Sequence, residues 1–233
     1  MARHDPVPER PLKFLAKELQ AGRLVLFVGA GLSHLAPAKD GSRRRLPLWD
    51  GLLDHIAKEF GINRSEFSDD PLRVLDMAVT VRDRPALIAE VANCIDAENF
   101  DPSKAHKELK DLPWAYFVTT NYDDLLNKDN KFRSIITEDL YLWEGVHSVK
   151  KLIYAIHGNL DNPHTLTRED YRCWGERNPR ASRRLEDTLF NRTVLFVGYS
   201  ISDPNFGDIL NRVKRIMGDK SLTQKGLAPG LGA

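Results

Sequence analysis

His157 follows the apolar residues Tyr154-Ala155-Ile156 and precedes Gly158. An imidazole titrates near neutral pH, and a neighbouring glycine leaves room for a ligand, so His157 is a candidate general base. A core or surface histidine would have the same neighbours, and His164 is a weaker second candidate. Asn121 and Asp123 flank Tyr122 directly after another apolar segment. An Asn amide both donates and accepts, so it can orient a hydroxyl or a water. Asn and Asp at this position serve equally well as an Asx turn or a helix cap, and Asp124 could cap too.

Gly29-Ala30-Gly31-Leu32-Ser33 follows a third apolar segment. Glycines let backbone come close to a pyrophosphate, and the exposed N–H groups donate to it. The third glycine of the full dinucleotide fingerprint is missing; His34 stands there. Asp50 lies at about the 20-residue spacing of a ribose acid, yet beside Trp49 it could equally cap a helix. A tight strand-to-helix turn without a ligand also accounts for these glycines. Gly198-Tyr199-Ser200, with Asp203-Pro204-Asn205-Phe206 after it, forms a second backbone cradle or a plain turn capped by Asp203. Arg43, Arg44 and Arg45 read as a solvated loop rather than a phosphate clamp. The other histidines (4, 34, 55, 106 and 147) show no ligand spacing among themselves, so no metal site is assigned.

These groups need elements to hold them. Leu24-Val25-Leu26-Phe27-Val28 is apolar without alternation, the pattern of a strand buried on both faces in a parallel sheet. Residues 115–118, 133–136, 152–156 and 193–197 are further strand candidates. Leu12, Leu15, Ala16 and Leu19 fall at helical spacing and end at Gly22. From Trp49 to about Asp96 apolar residues recur at three- and four-residue steps, with Pro71 and Pro85 at early helical positions. A helix near 103–111 has Ser103 as its cap, and a short helix runs through Leu125 and Leu126. Helices near 168–176 and 180–190 precede the last strand, and Asp203-Pro204 opens a final helix through Ile209, Leu210 and Val213. The polar motifs thus fall at strand carboxyl ends, where open α/β sheets bind ligands. The fold class expected is α/β, a Rossmann-like doubly wound parallel sheet with an inserted helical module. Residues 1–218 read as one domain, with the helical insertion at about 49–111, and the Gly- and Pro-bearing residues 219–233 as a flexible tail.

Composition narrows the classes. The chain has 233 residues, 42% hydrophobic and 29% charged, which excludes disordered, collagen-like and coiled-coil classes. A net charge of +1 gives no general drive toward nucleic acid or anionic membrane, so no direct nucleic-acid binding is expected. Two cysteines, Cys94 and Cys173, supply neither a disulfide framework nor a four-thiolate zinc site. No segment approaches the roughly 18 apolar residues of a membrane span. The expected location is the cytoplasm.

The motifs at 29–33, 120–123 (Thr120-Asn121-Tyr122-Asp123), 157–158 and 198–200 occur in the order seen in sirtuins, and the chain resembles that family over about residues 22–215. The wording is most similar to the bacterial sirtuin-like branch, down to Leu166-Thr167-Arg168-Glu169-Asp170-Tyr171 and the 198–206 ending. The resemblance implies a Rossmann-like sheet with a smaller helical module, and NAD as the ligand. It implies that Gly29, Ala30, Gly31 and Ser33 hold the NAD phosphates and ribose. Thr120, Asn121 and Asp123 would lie near nicotinamide and its ribose, with His157 as catalytic base and Gly198, Tyr199 and Ser200 on the adenosine side. Deacylating members carry two Cys-x-x-Cys pairs on a structural zinc, which two isolated cysteines cannot supply, and Thr120 replaces the usual Gln. The resemblance therefore points away from deacylation and toward the zinc-free branch of NAD-consuming anti-phage effectors. NAD would be cut into nicotinamide and ADP-ribose to abort infection, with control by self-assembly or by a separate sensor or ATPase subunit. An NAD-dependent deacylase and a non-catalytic NAD or ADP-ribose sensor are the alternatives.

Overall fold

In the computed structural model of the protein, residues 9–136, 152–199 and 211 are described. Helix α1 (Glu9–Gln20) leads into strand β1 (Leu24–Val28) and a short helix α2 (Ala30–Ser33). Helices α3 (Trp49–Glu59), α4 (Arg73–Val81), α5 (Arg84–Ile95) and α6 (Lys104–Asp111) precede β2 (Phe117–Thr119). Strands β3 (Arg133–Ile136) and β4 (Leu152–Ala155), helices α7 (Arg168–Arg177) and α8 (Pro179–Asn191), and strand β5 (Thr193–Val197) follow. The expected final helix, the end of the domain at 218 and the tail at 219–233 lie outside the described residues, apart from Asn211.

The five strands form one sheet in the order β3-β4-β2-β1-β5, and every pairing is parallel. All five residues of β1 are buried, as its unbroken apolar run requires. Val25 and Phe27 pack with Tyr116, Val118, Trp174 and Leu185 under α7 and α8. Leu24, Leu26 and Val28 face the opposite way, with Phe117 and Ile153, and Leu15, Leu19 and Leu109 of α1 and α6 lean on that side. Helices on both faces make the sheet doubly wound, as expected.

Two strand boundaries move. The apolar segment at 115–118 pairs as a strand only over 117–119, although Ala115 and Tyr116 still bond to the backbone of β1. The segment at 152–156 ends as a strand at Ala155, and the Ile156 N–H donates to the Thr119 carbonyl.

Between β1 and β2, helices α3, α4 and α5 bury a separate apolar cluster built on Leu53, Ile56, Leu75 and Leu87. Asp83 caps α5 by accepting from the Ala86 N–H, with Pro85 in the first turn. Ser103 caps α6 in a reciprocal arrangement with His106. Tyr122, Leu125 and Leu166 join the same cluster, so the helices sit on the loops that leave β2 and β4.

Asp170 ties the layers together. It accepts from the Leu166 and Thr167 N–H groups and pairs with Arg84 of α5 (2.7 Å) and Arg177 (3.2 Å). Burial alone would raise its pKa, but the two N–H donors and Arg84 outweigh that and hold it below the usual carboxylate value. A depressed folded pKa gives stability that is complete above the unfolded value of about 3.9 and fades as pH falls through the folded one. Asp170→Asn is expected to lower stability at pH 7 by about 1–3 kcal/mol. The gap from wild type should narrow toward acid pH, as read by urea unfolding across a pH series.

Candidate active site

The parallel register sets four loops side by side at the carboxyl edge of the sheet. Val28 is level with Thr119 and with Val197, and Thr119 is level with Ala155. Reading along the edge, the loop after β4 carries His157, the loop after β2 carries Asn121 and Asp123, the loop after β1 carries residues 29–33, and the loop after β5 carries Gly198 and Tyr199. At about 4.8 Å per strand, the row is roughly 14 Å long.

The loops of β1 and β5 touch backbone to backbone. The Gly29 N–H donates to Val197 (3.1 Å) and the Gly31 N–H to Gly198 (2.7 Å). A Cβ on Gly29 would lie 2.5 Å from the Gly198 oxygen, and one on Gly31 would lie 2.8 Å from Gly198 Cα. Gly198 has φ +61°, and a Cβ there would run into the Leu32 nitrogen. In the sequence these glycines fit either a ligand's approach or a tight turn; in the fold they let two loops meet. The Tyr199 ring packs on Phe27 and Phe196, with centroids 4.7 and 5.8 Å away, within the face covered by α7 and α8. Ser200 lies outside the described residues.

Thr119 joins β2 to β1. Its hydroxyl donates to the Val28 carbonyl and accepts from the Asn121 N–H, both at 3.0 Å. The sequence places Thr119 at the polar end of the apolar segment, but its tie to β1 is long-range and has no local signal. Thr120 follows, half-buried. The Asn121 amide nitrogen donates to Ser33 Oγ at 2.9 Å, across 88 residues of chain. Asp123 accepts from the Leu125 N–H (3.2 Å), the cap that the plainer sequence reading allowed, and is also hydrogen-bonded to the Ser33 hydroxyl. The residue keeps some exposed surface, yet its carboxyl is crowded by protein. That desolvation raises its pKa against the pull of Ser33 and Leu125, with Asp124 adding to the rise. Among the described residues no cation is ion-paired with Asp123.

His157 is only 2% exposed. Its ring meets Tyr171 edge-on at 5.5 Å and lies 6.5 Å from Tyr122. Tyr122 in turn donates its hydroxyl to the Thr165 carbonyl, and its own carbonyl accepts from the Leu160 N–H, which locks the β2 loop to the β4 loop. The His164 N–H donates to the His157 carbonyl (2.8 Å), so this second histidine closes the turn that presents the first.

Other candidates are occupied elsewhere. Asp50 pairs with Arg64 (2.6 Å) at the exposed start of α3. Arg44 pairs with Asp96 and lies over the Phe100 ring, and Arg45 donates to the Ala36 carbonyl. Among the described residues no group of three or more His, Cys, Asp or Glu could hold a metal ion, and no helix is long and apolar enough to cross a membrane.

A doubly wound parallel sheet with its polar loops gathered along the carboxyl edge is a Rossmann-type fold. Residues 115–228 match the SIR2-like domain, a stretch that holds three of the four motifs, those at 120–123, 157–158 and 198–200. The chain is 27% identical over 216 residues to the NAD(+) hydrolase ThsA of Bacillus cereus (strain MSX-D12), covering 90% of this chain and 44% of that protein. It is 29% identical to the protein of the same name in Cytobacillus dafuensis, covering 89% of this chain and 41% of that one. Defense-associated sirtuin 2 of Bacillus subtilis is 24% identical, over 89% of this chain and 21% of its own length. The chain thus spans less than half the length of these curated relatives.

Gly198→Ala is expected to cost about 2–5 kcal/mol, the sum of a left-handed backbone penalty and overlap with the β1 loop. Thermal and urea unfolding check it. Asp123→Asn is expected to act in the other direction. A raised folded pKa means that the ionised carboxylate costs stability at neutral pH, so the amide should raise the unfolding midpoint at pH 7 and lose that advantage toward acid pH.

Proposed function

We propose that this chain is an NAD-cleaving domain that hydrolyses the nicotinamide–ribose bond to nicotinamide and ADP-ribose, as an effector of bacterial anti-phage defence. The observation that carries the reading is the convergence of Ser33, Asn121 and Asp123, from two adjacent strand ends, beside the His157 loop. The names of the relatives, NAD(+) hydrolase and defense-associated sirtuin, favour the same chemistry.

Glycosidic bonds break through a sugar cation of oxocarbenium character. Nicotinamide leaves as a neutral molecule from a cationic ring, so no acid has to protonate it. The protein's work is to hold the ring, face the growing charge on the sugar and direct one water. Asn121 orients the ribose hydroxyl or the water. His157 takes the water's proton as its oxygen bonds to the ribose carbon that nicotinamide leaves. Asp123, desolvated and with no cation paired to it among the described residues, faces the positive ring or sugar. Gly29, Ala30 and Gly31 serve the phosphates and ribose, Thr120 lies near the nicotinamide ribose, and Gly198, Tyr199 and Ser200 serve the adenosine side. His157 is sheltered by Tyr122 and Tyr171, which keeps bulk water from competing for its proton.

We further propose that residues 1–218 act as one domain in the cytoplasm. An enzyme that destroys NAD must be restrained in a healthy cell, so self-assembly or a separate sensor or ATPase subunit would release its activity.

Purified protein, alone and with candidate partner subunits, is incubated with NAD and followed for free nicotinamide. His157→Ala and Asn121→Ala are each expected to slow release by about 10²- to 10⁴-fold. A His157→Ala variant as fast as wild type would remove the imidazole from the mechanism. ADP-ribose binding with no nicotinamide released would make the chain a sensor, and O-acetyl-ADP-ribose formed from an acetylated peptide would make it a deacylase.

A further inference from the structure

Ser33 sits where one hydroxyl meets two different polar groups. It accepts from the Asn121 amide nitrogen (2.9 Å) and is hydrogen-bonded to the Asp123 carboxyl. Because Ser33 Oγ accepts from Asn121, its own hydroxyl hydrogen is free to point at the Asp123 carboxyl. The hydrogen that Oγ accepts comes from the nitrogen side of the amide. The Asn121 side-chain oxygen is left turned the other way, and among the described residues it has no hydrogen-bond partner. The backbone of Asn121 is held separately, by Thr119. Ser33 itself is 3% exposed, so it has almost no surface to offer a ligand.

We propose that Ser33 is a positioning residue for the reaction proposed above: held between Asp123 and Asn121, its hydroxyl fixes the Asn121 amide with the oxygen toward the substrate. The oxygen is then a ready acceptor for a hydrogen of the ribose hydroxyl or of the attacking water. Without Ser33 the amide can turn over, and a donor meets the substrate in half of the orientations. This differs from the role the sirtuin resemblance gives Ser33, a direct hold on NAD. A direct hold needs an exposed hydroxyl with a hydrogen or lone pair to spare.

The test uses the whole chain. Ser33→Ala is expected to lower kcat for nicotinamide release about 10-fold, the worth of one well-placed hydrogen bond. The KM for NAD should stay within about two-fold, because the bond orients the reacting group rather than binding substrate. Ser33→Thr keeps the hydroxyl and should recover most of the rate. In an Asn121→Ala background, adding Ser33→Ala should change nothing further. Multiplying losses, or a KM that rises while kcat holds, would show Ser33 touching NAD itself and would overturn the proposal.

A second readout does not depend on turnover. The side-chain amide signals of Asn121, assigned in isotope-edited NMR by their loss in Asn121→Ala, should shift in Ser33→Ala and return toward wild type in Ser33→Thr. Signals indifferent to Ser33 would overturn the proposal whatever the activity. A wild-type protein that releases no nicotinamide under any condition would sink the hydrolase reading instead, and the amide signals would still decide whether Ser33 holds Asn121.

Discussion

The contact between the loops that leave β1 and β5 governs the rest of the edge. Three glycines bring the two backbones together, and the Gly31 N–H is spent on the Gly198 carbonyl rather than on solvent. A side chain at any of the three would push the loops apart. The α2 turn would then move, and Ser33 with it. Since Ser33 reaches over to Asn121, a shift that begins at β5 ends in the loop after β2. Nothing in this chain of contacts is long-range electrostatics. It is close backbone packing at one end, and two directional hydrogen bonds, whose strength falls steeply with geometry, at the other.

The helical layer completes the enclosure from above. Tyr122 belongs at once to the β2 loop and to the helical cluster, and its ring flanks His157. Arg84, at the start of α5, pairs with Asp170 at the start of α7, and Tyr171 on that same helix meets His157 edge-on. The inserted helices therefore bear on the site without contributing a polar group that meets its named residues. They fix the aromatic walls and the position of α7. This explains why α3, α4 and α5 can sit between β1 and β2 without disturbing their register: they are anchored on loops and on α7, while α6 packs on the sheet face.

Much of this was legible in the sequence, and for definite reasons. An unbroken apolar run marked β1, because a strand covered on both faces has no polar side to show. Polar residues at the ends of such runs marked the edge. Helix starts announced themselves through Asp83 with Pro85 and through Ser103, because capping is local in sequence. What remained hidden was long-range. The glycines at 29 and 31 could serve a ligand or another loop, and nothing nearby in the chain says that Gly198 fills the space. The Ser33–Asn121 bond spans 88 residues, and the Asp170–Arg84 pair spans 86. Asp50 had the spacing of a ribose acid but is drawn off by Arg64, fourteen residues on. The carboxyl end of β2 moved by one residue because Thr119 is polar in type and yet buried as a strand residue.

Asp123 carries the remaining tension. A fold selected for stability alone would not leave a crowded carboxyl beside Asp124 with no cation paired to it among the described residues. An asparagine would cap the same turn without the desolvation cost. The carboxylate offers what the amide does not. The Asp123 carboxyl shares the Ser33 hydroxyl with Asn121, and in its charged form it has no cation paired to it among the described residues. Both features make sense if the charge is compensated only when a positively charged substrate arrives. The local loss of stability in the empty protein is then offset on binding, and the gain is largest for the state in which the sugar itself becomes cationic.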